Sequence, residues 1–152
     1  MPNKSAALRF TDSPPHLDFG DVKDSKYYMV IVQYTARLHN EKIAQAIRSL
    51  YTDPACPPPS KKQYNFRLCS PEDNERLTGY THNGVTPLGT REKLPIIMSH
   101  LIADLNPAFF WLGAGEVDLK LRISFKEFVE HFQPLIADIT YPEGAAAGAG
   151  NE

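Results

Sequence analysis

Tyr27–Gln33 reads YYMVIVQ. A near-continuous apolar run of this length, rich in β-branched and aromatic residues, predicts a buried strand. Around it the remaining segments alternate in type. Ser5–Phe10 predicts a first strand, and the Thr11–Ser25 stretch, with Pro14, Pro15, Gly20 and four acids, predicts a loop. Asn40 is placed to cap a helix over Glu41–Tyr51, with Ile43, Ile47 and Leu50 on one face. Thr52–Gln63 holds four prolines and reads as a loop; Tyr64–Leu68 reads as a strand. Ser70-Pro71-Glu72-Asp73 opens a short helix with a hydroxyl cap, proline at the first position and acids in the first turn. Leu94–Met98 predicts a strand and Ser99–Leu105 a short helix. Phe109–Leu112 and Leu119–Ile123 predict strands flanking Gly113-Ala114-Gly115. Ser124-Phe125-Lys126-Glu127 is a capping box that opens a helix to about Phe132, followed by the apolar Leu135–Thr140. Strands and helices mix without regular βαβ repetition. The expected fold is therefore mixed α/β, a curved mixed β-sheet or barrel surrounded by helices.

The chain has 152 residues, 42% of them apolar and 22% charged, which suits one domain with a real core. The expected domain spans residues 1–142. The Gly/Ala-rich Gly144–Glu152 reads as a disordered tail beyond it. A net charge of −2 argues against life on long stretches of DNA or RNA, though not against a nucleic acid touched at one end. Cys56 and Cys69 form no CxxC pair, so a zinc ribbon or disulfide framework is not expected and a reducing, cytoplasmic compartment is. No run of 18 apolar residues predicts a membrane span, and MPNKSAALRF lacks the apolar core of a signal peptide.

The stretch that most resembles a site is Thr78–Gly89, TGYTHNGVTPLG. Three glycines and a proline within twelve residues predict a stiff loop that presents its backbone amides. Such amides can hold an anion or a polarised carbonyl oxygen. The plain alternative is a tight connection between a helix and a strand. Other chemistries have less behind them. His100 and Asp104 are spaced for one helical face but have no third ligand in view, so no metal is expected. HExxH and GxSxG are absent. Cys69 reads as a small buried hydrophobe, Thr86 as a hydrogen-bonding group without an evident base, and His16, His39 and His131 as solvent-facing. His82 lies inside the loop, where it either touches a ligand or faces water. Phe109-Phe110-Trp111 reads as core, with one ring available to stack on an adenine as the alternative.

The loop and its surroundings resemble the YbaK/prolyl-tRNA-synthetase-associated family of aminoacyl-tRNA deacylases. That family carries a TGY-like stretch, a GGxSPxG-like loop and then an apolar strand. Here these read Thr78-Gly79-Tyr80, Asn83-Gly84-Val85-Thr86-Pro87-Leu88-Gly89 and Leu94–Met98. Lys4-Ser5 before Ala6–Phe10 is similar to the family's lysine and hydroxyl pair, and Gly113-Ala114-Gly115 to its downstream glycine pair. Asn83 stands where the family has glycine, and Thr86 where serine is commoner. Family members also have a segment ahead of the lysine that helps wall the pocket, so the expectation is either an upstream part missing from this chain or altered substrate binding.

The resemblance implies hydrolytic editing: removal of a wrongly attached small amino acid, such as alanine or cysteine, from tRNA specific for proline. It implies catalysis by Lys4, Gly84, Val85 and Thr86. Substrate contacts would come from His82, Asn83, Pro87, Gly89, Gly113 and Gly115. The route would be substrate-assisted, with amides around Gly84, Val85 and Thr86 holding the oxyanion and no cofactor needed. The implied partners are the acceptor end of an aminoacyl-tRNA and a synthetase, with neither DNA nor a membrane. A non-catalytic module that binds the acceptor end or a synthetase is the alternative. The scattered cations Lys61, Lys62, Arg67, Arg91, Lys93, Lys120, Arg122 and Lys126 are then either ordinary solvated charges or a discontinuous track for an acceptor stem.

Overall fold

The structure is a computed structural model that describes residues 21–81 and 83–142, together with the backbone of residues 3–10. The expected loop at 11–20, His16, His82 and the tail from residue 143 lie outside the described residues. Among the described residues, seven strands and three helices follow in the order β1 (Asn3–Phe10), β2 (Tyr27–Gln33), α1 (Asn40–Arg48), β3 (Phe66–Leu68), α2 (Pro71–Thr78), β4 (Ile96–Ser99), β5 (Phe109–Gly113), β6 (Lys120–Ser124), α3 (Phe125–Phe132) and β7 (Leu135–Ala137).

Five strands form one sheet in the order β3-β1-β2-β4-β7. β1 is antiparallel to both β2 and β3, whereas β2–β4 and β4–β7 are parallel. β2 is buried almost throughout because both faces of the sheet are covered. Tyr28, Val30 and Val32 pack with Ile43, Ala44 and Ile47 of α1 and with Ile97 of β4. Tyr27, Met29 and Ile31 face the opposite way, toward Leu77 of α2, Phe110 and Leu112 of β5 and Phe128 of α3. That two-sided burial is why the sequence is apolar at nearly every position rather than at every second one.

β5 and β6 make a separate antiparallel hairpin laid over the second core. They pair with each other rather than with a free edge of the larger sheet, so the sheet does not close. The architecture is thus mixed α/β with an open sheet and an added hairpin, and the barrel alternative falls away.

Several local expectations need correction. Asn40 does not cap α1: His39 occupies the cap position, and the Asn40 amide instead donates to the Phe66 carbonyl at 3.0 Å, tying α1 to β3. The helix ends at Arg48, where the Leu50 and Tyr51 N–H groups turn back to Ile47 and Arg48. Ser99–Leu105 contains one 3₁₀ turn, His100–Ile102, rather than a helix. His100 and Asp104 therefore share no helical face, and His100 Nδ1 stands 4.0 Å from Asp138. His39 stacks on Tyr141 with ring centroids 4.3 Å apart instead of facing water alone. Only Phe110 of Phe109-Phe110-Trp111 is buried, while Trp111 is 40% exposed. The caps expected at Ser70 and Ser124 are present, each hydroxyl accepting an N–H at 3.1 Å.

Candidate active site

The Thr78–Gly89 loop begins as the end of a helix. α2 stops because Gly79 adopts the left-handed conformation, φ 79°, and its N–H closes on the Glu75 carbonyl at 2.8 Å. Side chains of the last turn then hold the exit. Thr78 Oγ1 donates to the Asn74 carbonyl at 2.7 Å and accepts from the Tyr80 N–H at 3.1 Å. The Asn74 amide donates to the Tyr80 carbonyl at 3.0 Å. Tyr80 in turn spans the loop, its hydroxyl donating to the Leu88 carbonyl at 2.6 Å. Further on, the Glu92 N–H returns to the Leu77 carbonyl at 2.9 Å. The loop is closed on itself at both ends before β4 begins. Tyr80→Phe is expected to lower stability by about 1 kcal/mol, read by urea denaturation, because the Leu88 carbonyl loses its internal donor.

Within this frame Asn83 takes φ 68° in a turn closed by the Gly84 N–H on the Thr81 carbonyl at 3.0 Å. Asparagine tolerates the left-handed region, so the glycine-like path survives without glycine. The Gly84 amide is occupied by that turn, which sets the direction of the peptides through Val85 and Thr86. Thr86 is 2% exposed, and its hydroxyl accepts from the Leu88 N–H at 3.4 Å. It therefore acts as a brace within the loop, in keeping with the hydrogen-bonding reading. Pro87 is buried beside it. Gly89 has φ 63°, and a Cβ there would stand 3.3 Å from the Tyr80 hydroxyl.

The second glycine turn, between β5 and β6, is stacked on the first. A Cβ at Gly113 would lie 2.6 Å from the Val85 carbonyl oxygen, and one at Gly84 would lie 2.9 Å from the Gly115 carbonyl oxygen. Gly115 itself has φ 97° and approaches the Tyr80 ring, which a Cβ would meet at 3.1 Å. Two segments well apart in the chain thus meet backbone against backbone, and both sides are glycine because no side chain fits between them. The sequence suggested each turn separately; their contact and the bracing by Asn74, Thr78 and Tyr80 were not foreseen. A threonine ahead of a helix-ending glycine was the available signal for part of that bracing.

Lys4 belongs to β1 and stands opposite Val32 in the β1–β2 register. β1 runs close to β5, the strand that ends in Gly113. His82 is among the residues not described. A cavity of about 720 Å³ opens elsewhere, where Leu94–Ile96 enters β4 and Phe132–Leu135 enters β7, and none of the expected site residues lines it. Burial, with the nearby Asp73 charge, pushes the half-buried Cys69 thiol above its usual range, which disfavours a thiolate nucleophile. No group of three or more metal-ligating side chains occurs among the described residues, and none of the described helices is long and apolar enough to cross a membrane.

No curated protein sequence matches the chain significantly. Among solved structures, a candidate trans-editing enzyme for prolyl tRNA synthetase superimposes with a TM-score of 0.68 at 18% identity, covering 93% of this chain and 71% of that one. A hypothetical protein, APE2540, gives a TM-score of 0.65 at 16% identity over 91% of this chain and 73% of its own. A scaffold protein used for epitope backbone grafting gives 0.65 at 18% identity, over 93% and 74%. At these identities the likeness is one of fold. The family model described as the aminoacyl-tRNA editing domain matches residues 19–130, across the helix-ending glycine, both glycine turns and the central strands. The chain belongs to the aminoacyl-tRNA editing domain family.

Proposed function

We propose that the protein is a hydrolase acting in trans on mischarged aminoacyl-tRNA. It would release a small amino acid, alanine or cysteine, from tRNA specific for proline, in the cytoplasm and beside a synthetase that selects the tRNA. The observation that carries this reading is the contact between the two glycine turns. It fixes the backbone of two loops against each other, with no side chain between them, so that the peptide groups beside the contact are held still for an ester. Family membership supports the substrate class, and the fold shared with a candidate prolyl trans-editing enzyme favours tRNA for proline.

In the proposed reaction water attacks the ester carbonyl, helped by the neighbouring ribose hydroxyl of the substrate. The oxyanion is held by peptide N–H groups that the Asn83 turn orients, through Thr86. The carbonyl-to-ribose C–O bond then breaks, the ribose oxygen takes a proton, and the amino acid leaves as its carboxylate. Lys4 would position the terminal adenosine, its phosphate or the ester. His82, Asn83, Pro87, Gly89, Gly113 and Gly115 would shape the surroundings, and no metal or organic cofactor takes part.

The test is deacylation of alanyl- and cysteinyl-tRNA for proline by the parent chain and by Lys4→Ala. Turnover is expected in the parent, with a loss of about 100-fold in the variant if Lys4 positions the reacting ester. One observation favours a second reading, a non-catalytic acceptor-end module: the Gly84 N–H, an expected oxyanion donor, is already taken by Thr81. Salt-sensitive tRNA binding without turnover would select that reading. Neither binding nor turnover would sink both.

A further inference from the structure

We infer that the outer face of the β5–β6 hairpin is a stacking platform for the unpaired 3′ strand of the tRNA, just upstream of its terminal adenosine. The inference rests on the acceptor end being the substrate, and adds where that strand runs. The hairpin alternates cleanly. Phe110 and Leu112 point into the core, and Leu121 and Ile123 are half-buried on the same side. Phe109 and Trp111 are left on the outer face, with Trp111 40% exposed. Opposite them in register stand Ser124 and Arg122, and Lys120 lies opposite Gly113. Lys120 and Arg122 are both exposed. The Arg122 guanidinium lies over the Phe109 ring at 5.0 Å, and the partly exposed Trp111 indole stands across the strand pair from it.

Large aromatic faces interleaved with cations are what a single-stranded nucleic acid needs: rings for the bases and charges for the phosphates. The surface is also continuous with the proposed site, because β5 ends in Gly113, whose backbone abuts Val85. Trp111 precedes Gly113 by two residues, about 7 Å along a strand. A stacked single strand advances about 3.4 Å per nucleotide. With the terminal adenosine at the glycine turns, the indole therefore meets a base about two nucleotides upstream. Glu116 and Asp118 at the hairpin tip would repel phosphates, so the strand runs away from the tip, from Gly113 toward Phe109.

Trp111 is the chain's single tryptophan, so its fluorescence reports on this face alone. Uncharged tRNA is expected to quench the emission in a salt-dependent way, and tRNA trimmed of its unpaired 3′ nucleotides is expected not to. Trp111→Leu should weaken tRNA binding about tenfold or more, and Trp111→Phe should restore most of it. Arg122→Gln keeps the fluorophore; it should weaken binding and reduce the slope of log affinity against log salt by about one. Binding seen by gel shift with unaltered emission, and with Trp111→Leu binding like the parent, would overturn the platform while leaving deacylation, assayed separately, intact. Equal quenching by trimmed tRNA would overturn the 3′-strand assignment. A change in emission that follows protein concentration alone would make the face a contact between copies and overturn it too. Absence of any tRNA binding would overturn both this inference and the reading it rests on.

Discussion

Gly113→Ala should lower kcat/KM for aminoacyl-tRNA deacylation by about 100-fold. The added methyl would lie 2.6 Å from the Val85 carbonyl oxygen and 3.5 Å from the carbonyl carbon. Both atoms are backbone, so no side-chain rotation relieves the clash, and one turn must move. A misplacement of about 1 Å at a reacting centre costs about that factor, and forcing the packed turns apart should cost a further 1–3 kcal/mol or so of stability. Gly84→Ala attacks the same contact from the other side, at 2.9 Å from the Gly115 carbonyl. Once either methyl has separated the turns, the second has less to disrupt, so the double variant should lose less than the sum of the singles. Steady-state deacylation and thermal denaturation of the three variants check this. Activity in Gly113→Ala equal to the parent's would mean that the contact between the turns plays no part in hydrolysis.

Phe128→Ala should be the most damaging single truncation for the fold, at about 3–5 kcal/mol. Phe128 is fully buried, edge-on to Phe110 at 5.3 Å and beside Phe132 at 4.6 Å. It connects α3, the β5–β6 hairpin and the second core. For a chain of this size the loss corresponds to a fall in Tm of roughly 6–20 °C. In urea the midpoint should drop with little change in slope, since the surface exposed on unfolding is nearly the same. A loss below about 1 kcal/mol would show that the hairpin does not depend on this ring.

What could be read from the chain depended on whether a local pattern had a local cause. YYMVIVQ was legible to the residue because burial on both faces leaves only the last position of β2, Gln33, polar. Ser70-Pro71 and the Ser124–Glu127 box were legible because a cap is made by its own neighbours. Asn40 has the residue type of a cap, but its amide serves Phe66, 26 residues away, and composition carries no trace of that partner. The choice between open sheet and barrel depended on β5 choosing β6 over a sheet edge, again a distant matter. At the site, the loop announced itself through Gly and Pro, while Gly113-Ala114-Gly115 read as a turn between two strands and took on a site role only through family resemblance. Their meaning lies in what touches them. Trp111 could have been read outward, since the strand alternation that buries Phe110 and Leu112 leaves it no other side, but the unbroken apolar run Phe109–Leu112 masked the alternation.

The parallel pairing on one side of the sheet has a kinetic consequence. Met29 pairs with Ile96, and Ile97 with Leu135, so the parallel ladders join segments that are far apart along the polypeptide. Such closure spends loop entropy before it returns contacts, and it places the chain among the slower-folding mixed topologies. The two glycine turns belong to the long excursions between those ladders, one before β4 and one after it. Their meeting therefore waits on the same non-local closure, and competence at the site should emerge late, together with the completed sheet and not ahead of it.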